Sequence, residues 1–128
     1  MNMPLPQDRR YLESHEWHQQ LGDTVTIGIT QTAADELTDI TYVKLPAVGA
    51  NVAAGAPFGE IESVKATSDL YSGVSGTVAA VNAELNANPG VVNTDPFGKG
   101  WMIKVKVTDT GQMAKLLSAE DYLKKTGH

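Results

Sequence analysis

Turn-forming pairs punctuate residues 46–82 at short intervals: Val48-Gly49, Ala54-Gly55-Ala56-Pro57, Ser72-Gly73 and Ser75-Gly76. Glycine and proline interrupt regular structure, and the runs left between them, residues 58–63 and 77–81, are short and β-compatible. Such spacing predicts many short strands joined by tight turns, a small sandwich or barrel. A weak internal echo lies in the same region: Val48-Gly49-Ala50-Asn51-Val52-Ala53-Ala54 resembles Val74-Ser75-Gly76-Thr77-Val78-Ala79-Ala80.

The flanks fit this pattern. Thr24-Val25-Thr26-Ile27-Gly28-Ile29-Thr30 alternates with period two, so Val25, Ile27 and Ile29 share the buried face of a strand. His15-Glu16-Trp17-His18 reads as a short extended segment. Residues 32–37 read as a short helix capped by Thr32, with acids in its first turn. Residues 40–45 are β-rich, 86–100 a long loop, and 101–107 a strand with Trp101, Ile103, Val105 and Val107 inward and Met102, Lys104 and Lys106 outward. Residues 1–10 read as a flexible lead-in. Residues 112–125 read as a C-terminal helical segment in which Ser118 and Asp121 resemble a capping box. The whole, 1–128, is expected to be one domain.

Composition narrows the chemistry. The chain has no cysteine, so disulfides, zinc–thiolate sites and thiol nucleophiles are excluded, and redox chemistry requires an added group. A net charge of −5 argues against nucleic acid and against an anionic membrane surface. It favours docking to basic protein faces. No apolar run approaches the ~20 residues of a membrane helix, and the polar start lacks the apolar stretch of a secretory signal. A cytoplasmic, bacterial-type monomer is expected.

One lysine stands apart. Lys65 is the only basic residue between Leu45 and Gly98, and its charged neighbours are Glu60, Glu62 and Asp69. It falls between two strand-like runs, at the tip of a predicted hairpin. Surface lysines rarely need a special explanation, so the alternatives matter. A Ser–Lys nucleophile built with Ser63, Ser68, Ser72 or Ser75, or a Schiff-base lysine, needs a depressed lysine pKa, and acidic neighbours push the other way. No Gly-x-Ser-x-Gly elbow or phosphate loop is present. His15, His18 and His128 do not make a metal site by spacing.

The segment Glu60-Ile61-Glu62-Ser63-Val64-Lys65-Ala66-Thr67-Ser68-Asp69-Leu70-Tyr71-Ser72-Gly73-Val74-Ser75-Gly76 closely resembles the lipoyl-attachment segment of glycine cleavage H proteins. The resemblance extends over most of the chain. It includes His15-Glu16-Trp17, Thr26-Ile27-Gly28-Ile29-Thr30, Leu45-Pro46, Pro57-Phe58-Gly59, Val92-Asn93 with Asp95-Pro96, Gly100-Trp101, and Leu117-Ser118-Ala119-Glu120 with Tyr122. Three places depart from the family pattern: Thr38-Asp39-Ile40 replaces the usual Gly-Asp-Ile, Gly73 stands where proline is common, and Pro89-Gly90-Val91 replaces an acidic–apolar stretch.

The resemblance implies a lipoyl-domain-like barrel-sandwich hybrid of two small sheets with short flanking helices. It implies lipoate amide-linked to Lys65, with Glu62 (three residues before) and Gly76 (eleven after) serving recognition by lipoylating enzymes. It further implies a non-catalytic carrier that passes the aminomethyl group of glycine from a pyridoxal-phosphate decarboxylase to a tetrahydrofolate-dependent aminomethyltransferase. A dihydrolipoyl dehydrogenase then reoxidises the arm. Biotin carriers usually flank their lysine with methionine, and lipoyl domains of 2-oxoacid dehydrogenases usually read Asp-Lys-Ala; here Val64 and Ala66 flank Lys65. Phosphopantetheine carriers are helical and attach through serine.

Overall fold

In the computed structural model, which describes residues 5–126, the alternating run 24–29 forms the strand its period predicts. This strand, β3 (Thr24–Ile29), follows β1 (Arg10–Tyr11) and β2 (Glu16–Leu21), and Val25, Ile27 and Ile29 are buried. It pairs antiparallel with β2 on one side and with β9 (Ile103–Val107) on the other. Beyond β9 lie β8 (Gly76–Val81) and β5 (Asn51–Val52), completing a six-stranded sheet ordered β1-β2-β3-β9-β8-β5. A three-stranded sheet ordered β4-β6-β7 faces it, built from Ile40–Lys44, Pro57–Ser63 and Thr67–Tyr71. The strands stay in two separate sheets, so the fold is a β sandwich and not a closed barrel. The echoing segments are neighbours, with Asn51 opposite Thr77.

Two apolar clusters hold these layers. The larger fills the space between the sheets, with Val25, Ile27, Val105 and Ile103 on one side and Val43, Phe58, Ile61 and Leu70 on the other. The smaller gathers Tyr11, Trp17, Ala119 and Tyr122 on the outer side of β2, with the Tyr11 and Tyr122 rings stacked at 5.0 Å. Trp17 lies across Gly28, its partner in the β2–β3 register. A Cβ at Gly28 would stand 2.6 Å from the indole ring, which is why the strand carries glycine there. With both faces covered, β2 buries Glu16, Trp17 and His18 in succession. An extended segment was expected there, but not one closed to water on both sides.

Several local expectations change. Thr30, not Thr32, caps α1 (Gln31–Leu37), accepting from the Ala33 N–H, and no acid falls in the first turn. The expected long loop at 86–100 is entered by the end of one single-turn helix, α2 (Glu84–Ala87), and contains another, α3 (Val91–Thr94), pinned by buried Leu85 and Val92. Met102 is buried rather than outward, because its N–H donates to the Ile27 carbonyl and its side chain enters the main core. Trp101, expected inward, packs half-buried on the smaller cluster. The C-terminal stretch is divided: a 3-10 turn (Thr110–Lys115), an extended link that bridges Leu117 to Tyr11, then α4 (Ala119–Thr126). Ser118 Oγ accepts from the Asp121 N–H, the capping half of the expected box. Arg9 lies 4.6 Å over Trp17 and Tyr11 donates to the Pro6 carbonyl, so these described parts of the lead-in make specific contacts.

Candidate functional site

Lys65 occupies the tip of the β6–β7 hairpin, where Glu62 pairs with Thr67 at the mouth of the turn. The turn closes through Ser63. Its N–H donates to the Ala66 carbonyl at 2.8 Å, and its Oγ accepts from the Lys65 and Ala66 N–H groups at 3.1 and 3.0 Å. A serine hydroxyl satisfying the backbone two and three residues ahead is a turn-making arrangement. It leaves Ser63 a structural hydroxyl rather than a nucleophile. The tip is docked as well as closed: the Val64 N–H donates to the Asp39 carbonyl at 3.0 Å, and Lys65 Nζ donates to the Glu36 carbonyl at 3.2 Å. Val64, Lys65 and Ala66 are all exposed. The backbone is therefore held, while the exposed side chain is tethered, among the described residues, only by its Nζ to the Glu36 carbonyl.

Glu62 belongs to the same hairpin. It is half-buried on the outer face of the small sheet, opposite Thr67 and Tyr42. Glu60 and Asp69 are directly paired on that face, and Lys44 pairs with Glu60 from the other side. Gly76 is not at the hairpin. It lies in the six-stranded sheet between Val52 and Val107, where an added Cβ would come within 2.1 Å of the Lys106 carbonyl oxygen. Lys65 and Glu62 are thus brought together, and Gly76 contributes a close approach of strands.

At the foot of the hairpin runs an open groove of about 430 Å³ between α1 and β7, with Lys65 itself on its wall. Ala33, Leu37, Ile61 and Leu70 supply apolar lining, while Ser14, Glu16 and Ser68 supply polar lining. Glu16 is the unusual member. Burial pushes its carboxyl up to about 7, against the pull of hydrogen bonds from Ser14 and from the Tyr71 N–H at 2.9 Å. On the groove wall, His15 shares a hydrogen bond with the Tyr122 hydroxyl, which also meets Thr30 Oγ1 at 3.1 Å. His18 lies in the interior, where burial lowers its pKa to about 4; its Nε2 accepts from the Gly73 N–H at 2.9 Å. His15 precedes β2 with φ 85 and His18 lies within it; among the described residues no cluster of His, Cys, Asp and Glu could hold a metal ion. His128 lies outside the described residues. A second depression of about 450 Å³ is lined by Asp8, Arg9, Arg10, Gln20 and Met113, away from Lys65.

These residues fit an amide-linked arm on Lys65. Acylation would turn the ammonium into an amide that keeps one N–H, enough to retain the donation to the Glu36 carbonyl. The groove starts at the attachment point and offers an apolar wall to the arm. Sequence reasoning did not find Glu16, Ser14 or the Glu36 and Asp39 carbonyls. The last two act through their backbones, which carry no side-chain signature.

Comparison with known proteins decides the family. The glycine cleavage H-protein family profile matches residues 9–128. The chain belongs to the glycine cleavage H-protein family. It is 51% identical over 122 residues to a probable glycine cleavage system H protein of Haloarcula marismortui, covering 95% of this chain and 96% of that one. It is 50% identical over 124 residues to the glycine cleavage system H protein of Bacillus cereus, covering 97% and 98%. Among solved structures, the glycine cleavage system H protein of Mycobacterium marinum superposes with a TM-score of 0.89 at 38% identity, covering 97% of this chain and 100% of that one. H proteins are lipoyl carriers, and the two-sheet fold of this chain is theirs.

Proposed function

We propose that this chain carries lipoate in amide linkage on Lys65 and serves, without catalysis of its own, as the shuttle of a cytoplasmic glycine cleavage system. The observation that carries the reading is the presentation of Lys65: an exposed side chain on a hairpin tip whose backbone is fixed by four hydrogen bonds within the turn and one to Asp39. The lipoyl group, once attached, supplies a dithiolane that accepts the aminomethyl group and two electrons. The partners are glycine decarboxylase, the tetrahydrofolate-dependent aminomethyltransferase, dihydrolipoyl dehydrogenase and the lipoylating enzymes.

The chain's own residues anchor, shelter and steer. The hairpin fixes one end of the arm, so transfer between partners becomes a near-intramolecular event. The groove beside Lys65 shelters the arm between partners, and Glu16, with a carboxyl poised near neutrality, offers either a hydrogen bond or a negative charge there. Glu60, Glu62 and Asp69 on the outer sheet face steer basic partner surfaces toward the tip, an attraction that weakens with salt. Glu62 serves recognition during lipoylation. Gly76 supports it from a distance by letting β8 and β9 close.

Intact mass of protein from a lipoate-competent host, with peptide mapping across residues 45–98, tests this. One lipoyl mass on Lys65 is expected. A biotin mass, or no addition after incubation with a lipoylating enzyme and lipoate, overturns the reading.

A further inference from the structure

Asn93 makes three hydrogen bonds with one side chain. Its Oδ1 accepts from the Ile40 N–H at 3.0 Å, and its Nδ2 donates to the Thr38 carbonyl at 2.8 Å and the Ala34 carbonyl at 3.4 Å. All three partners lie in one short stretch, the end of α1 and the start of β4. Gln31 adds a fourth tie by donating to the Asn93 carbonyl at 3.2 Å. Asn93 is itself set on α3, which buried Val92 plugs into the main core. The side chain therefore pins residues 34–40 to the interior.

That pinned stretch is the ledge on which the carrier hairpin rests. It contributes the Asp39 carbonyl that receives the Val64 N–H and the Glu36 carbonyl that receives Lys65 Nζ. Through Glu36 and Leu37 it also forms one wall of the groove. The ledge does not hold its shape unaided. Thr38 sits at φ 64, ψ −148, a conformation that only glycine adopts at ease, and such a residue persists only where its surroundings over-determine it. Asn93 is the surrounding group that grips the Thr38 carbonyl.

We infer that Asn93 is a positioning residue of the lipoyl site: it holds the 34–40 ledge in the strained shape that fixes the Val64–Lys65 tip, and so sets how well Lys65 is presented to the enzyme that acylates it. The inference rests on Lys65 being the lipoylated residue.

The test compares wild type, Asn93→Ala and Asn93→Ala/Thr38→Gly in the full-length apo protein. Glycine at 38 removes strain, so the double variant regains thermal stability while leaving the ledge unpinned. Two measurements are made: hydrogen exchange of the Val64 amide, and the lipoylation kinetics (kcat and KM) with a lipoylating enzyme and lipoate. Removing a hydrogen-bonded anchor corresponds to about a five- to tenfold change. Val64 exchange and the lipoylation KM should both rise by that factor in both variants, with kcat unchanged. If both quantities instead return to wild-type values when the double variant regains its thermal midpoint, Asn93 is merely a stabilising residue and the inference fails. It fails equally if Asn93→Ala matches wild type. If wild type accepts no lipoyl group, the carrier reading falls, and Val64 exchange alone then decides whether Asn93 positions the tip.

Discussion

Replacing Thr38 by glycine should make the protein more stable, an unusual expectation for a substitution that removes a side chain. At φ 64 and ψ −148 a residue with a Cβ stores about 1–3 kcal/mol of strain. Two costs offset the relief. Glycine frees the unfolded chain, a penalty of about 0.5–1 kcal/mol. The Thr38 hydroxyl bond to the Leu37 carbonyl is also lost, but Thr38 is exposed and water replaces it. The net gain is about 1 kcal/mol, which for a chain of this length raises the thermal midpoint by about 3–5 °C. Thr38→Ala is the control, because alanine keeps the Cβ and hence the strain. Tryptophan fluorescence during urea unfolding reads both variants. If the glycine variant is no more stable than the alanine variant, the backbone at 38 is not strained and the expectation is refuted.

Other consequences follow from the site and its scaffold. Glu62→Ala should slow lipoylation while leaving the urea midpoint unchanged; an unaltered lipoylation rate would remove Glu62 from recognition. Gly76→Ala should destabilise by about 2 kcal/mol, since the new Cβ meets the Lys106 carbonyl, a backbone atom that cannot rotate away; a wild-type denaturation curve would contradict this. Glu16→Gln should become progressively more stable relative to wild type as pH rises. The folded carboxyl holds its proton to about pH 7 while the unfolded one releases it near 4.5. Wild type therefore loses stability across that window, by about 1.4 kcal/mol per pH unit, and the variant does not. A constant difference between the two unfolding free energies from pH 4.5 to 7 would refute the buried-carboxyl account.

The parts of the fold legible in sequence are those where one physical rule acts alone. Alternation placed Val25, Ile27 and Ile29 inward because β3 sits mid-sheet with one face on the main core, and its other face carries only threonines and Gly28. The isolated Lys65 between two strand-like runs placed the hairpin tip. Where two demands compete, the pattern misleads. Met102 looks outward by alternation, yet its backbone bond to Ile27 turns it into the core. Residues 15–18 read only as a short extended segment, and nothing in them announces that the hairpin side and the loop carrying Gly73 cover Glu16 and His18. Single-turn α2 and α3 are too short to show a helical period. The departure at Thr38, a threonine where the family usually has glycine, put the local backbone in question, and its dihedral angles show the cost: a residue with a Cβ held where glycine is at ease.

The ledge beneath the hairpin has a consequence for anyone who would borrow this site. Its grip on the tip is made by main-chain oxygens of Glu36 and Asp39, so it depends on the path of the backbone at 34–40 rather than on those two side chains. A tag copied from residues 57–71 alone would take the lysine, its turn and its acidic flank, yet leave behind the shelf that stills them. To transplant the handle, the shelf at 34–40 and the bolt at Asn93 must travel too.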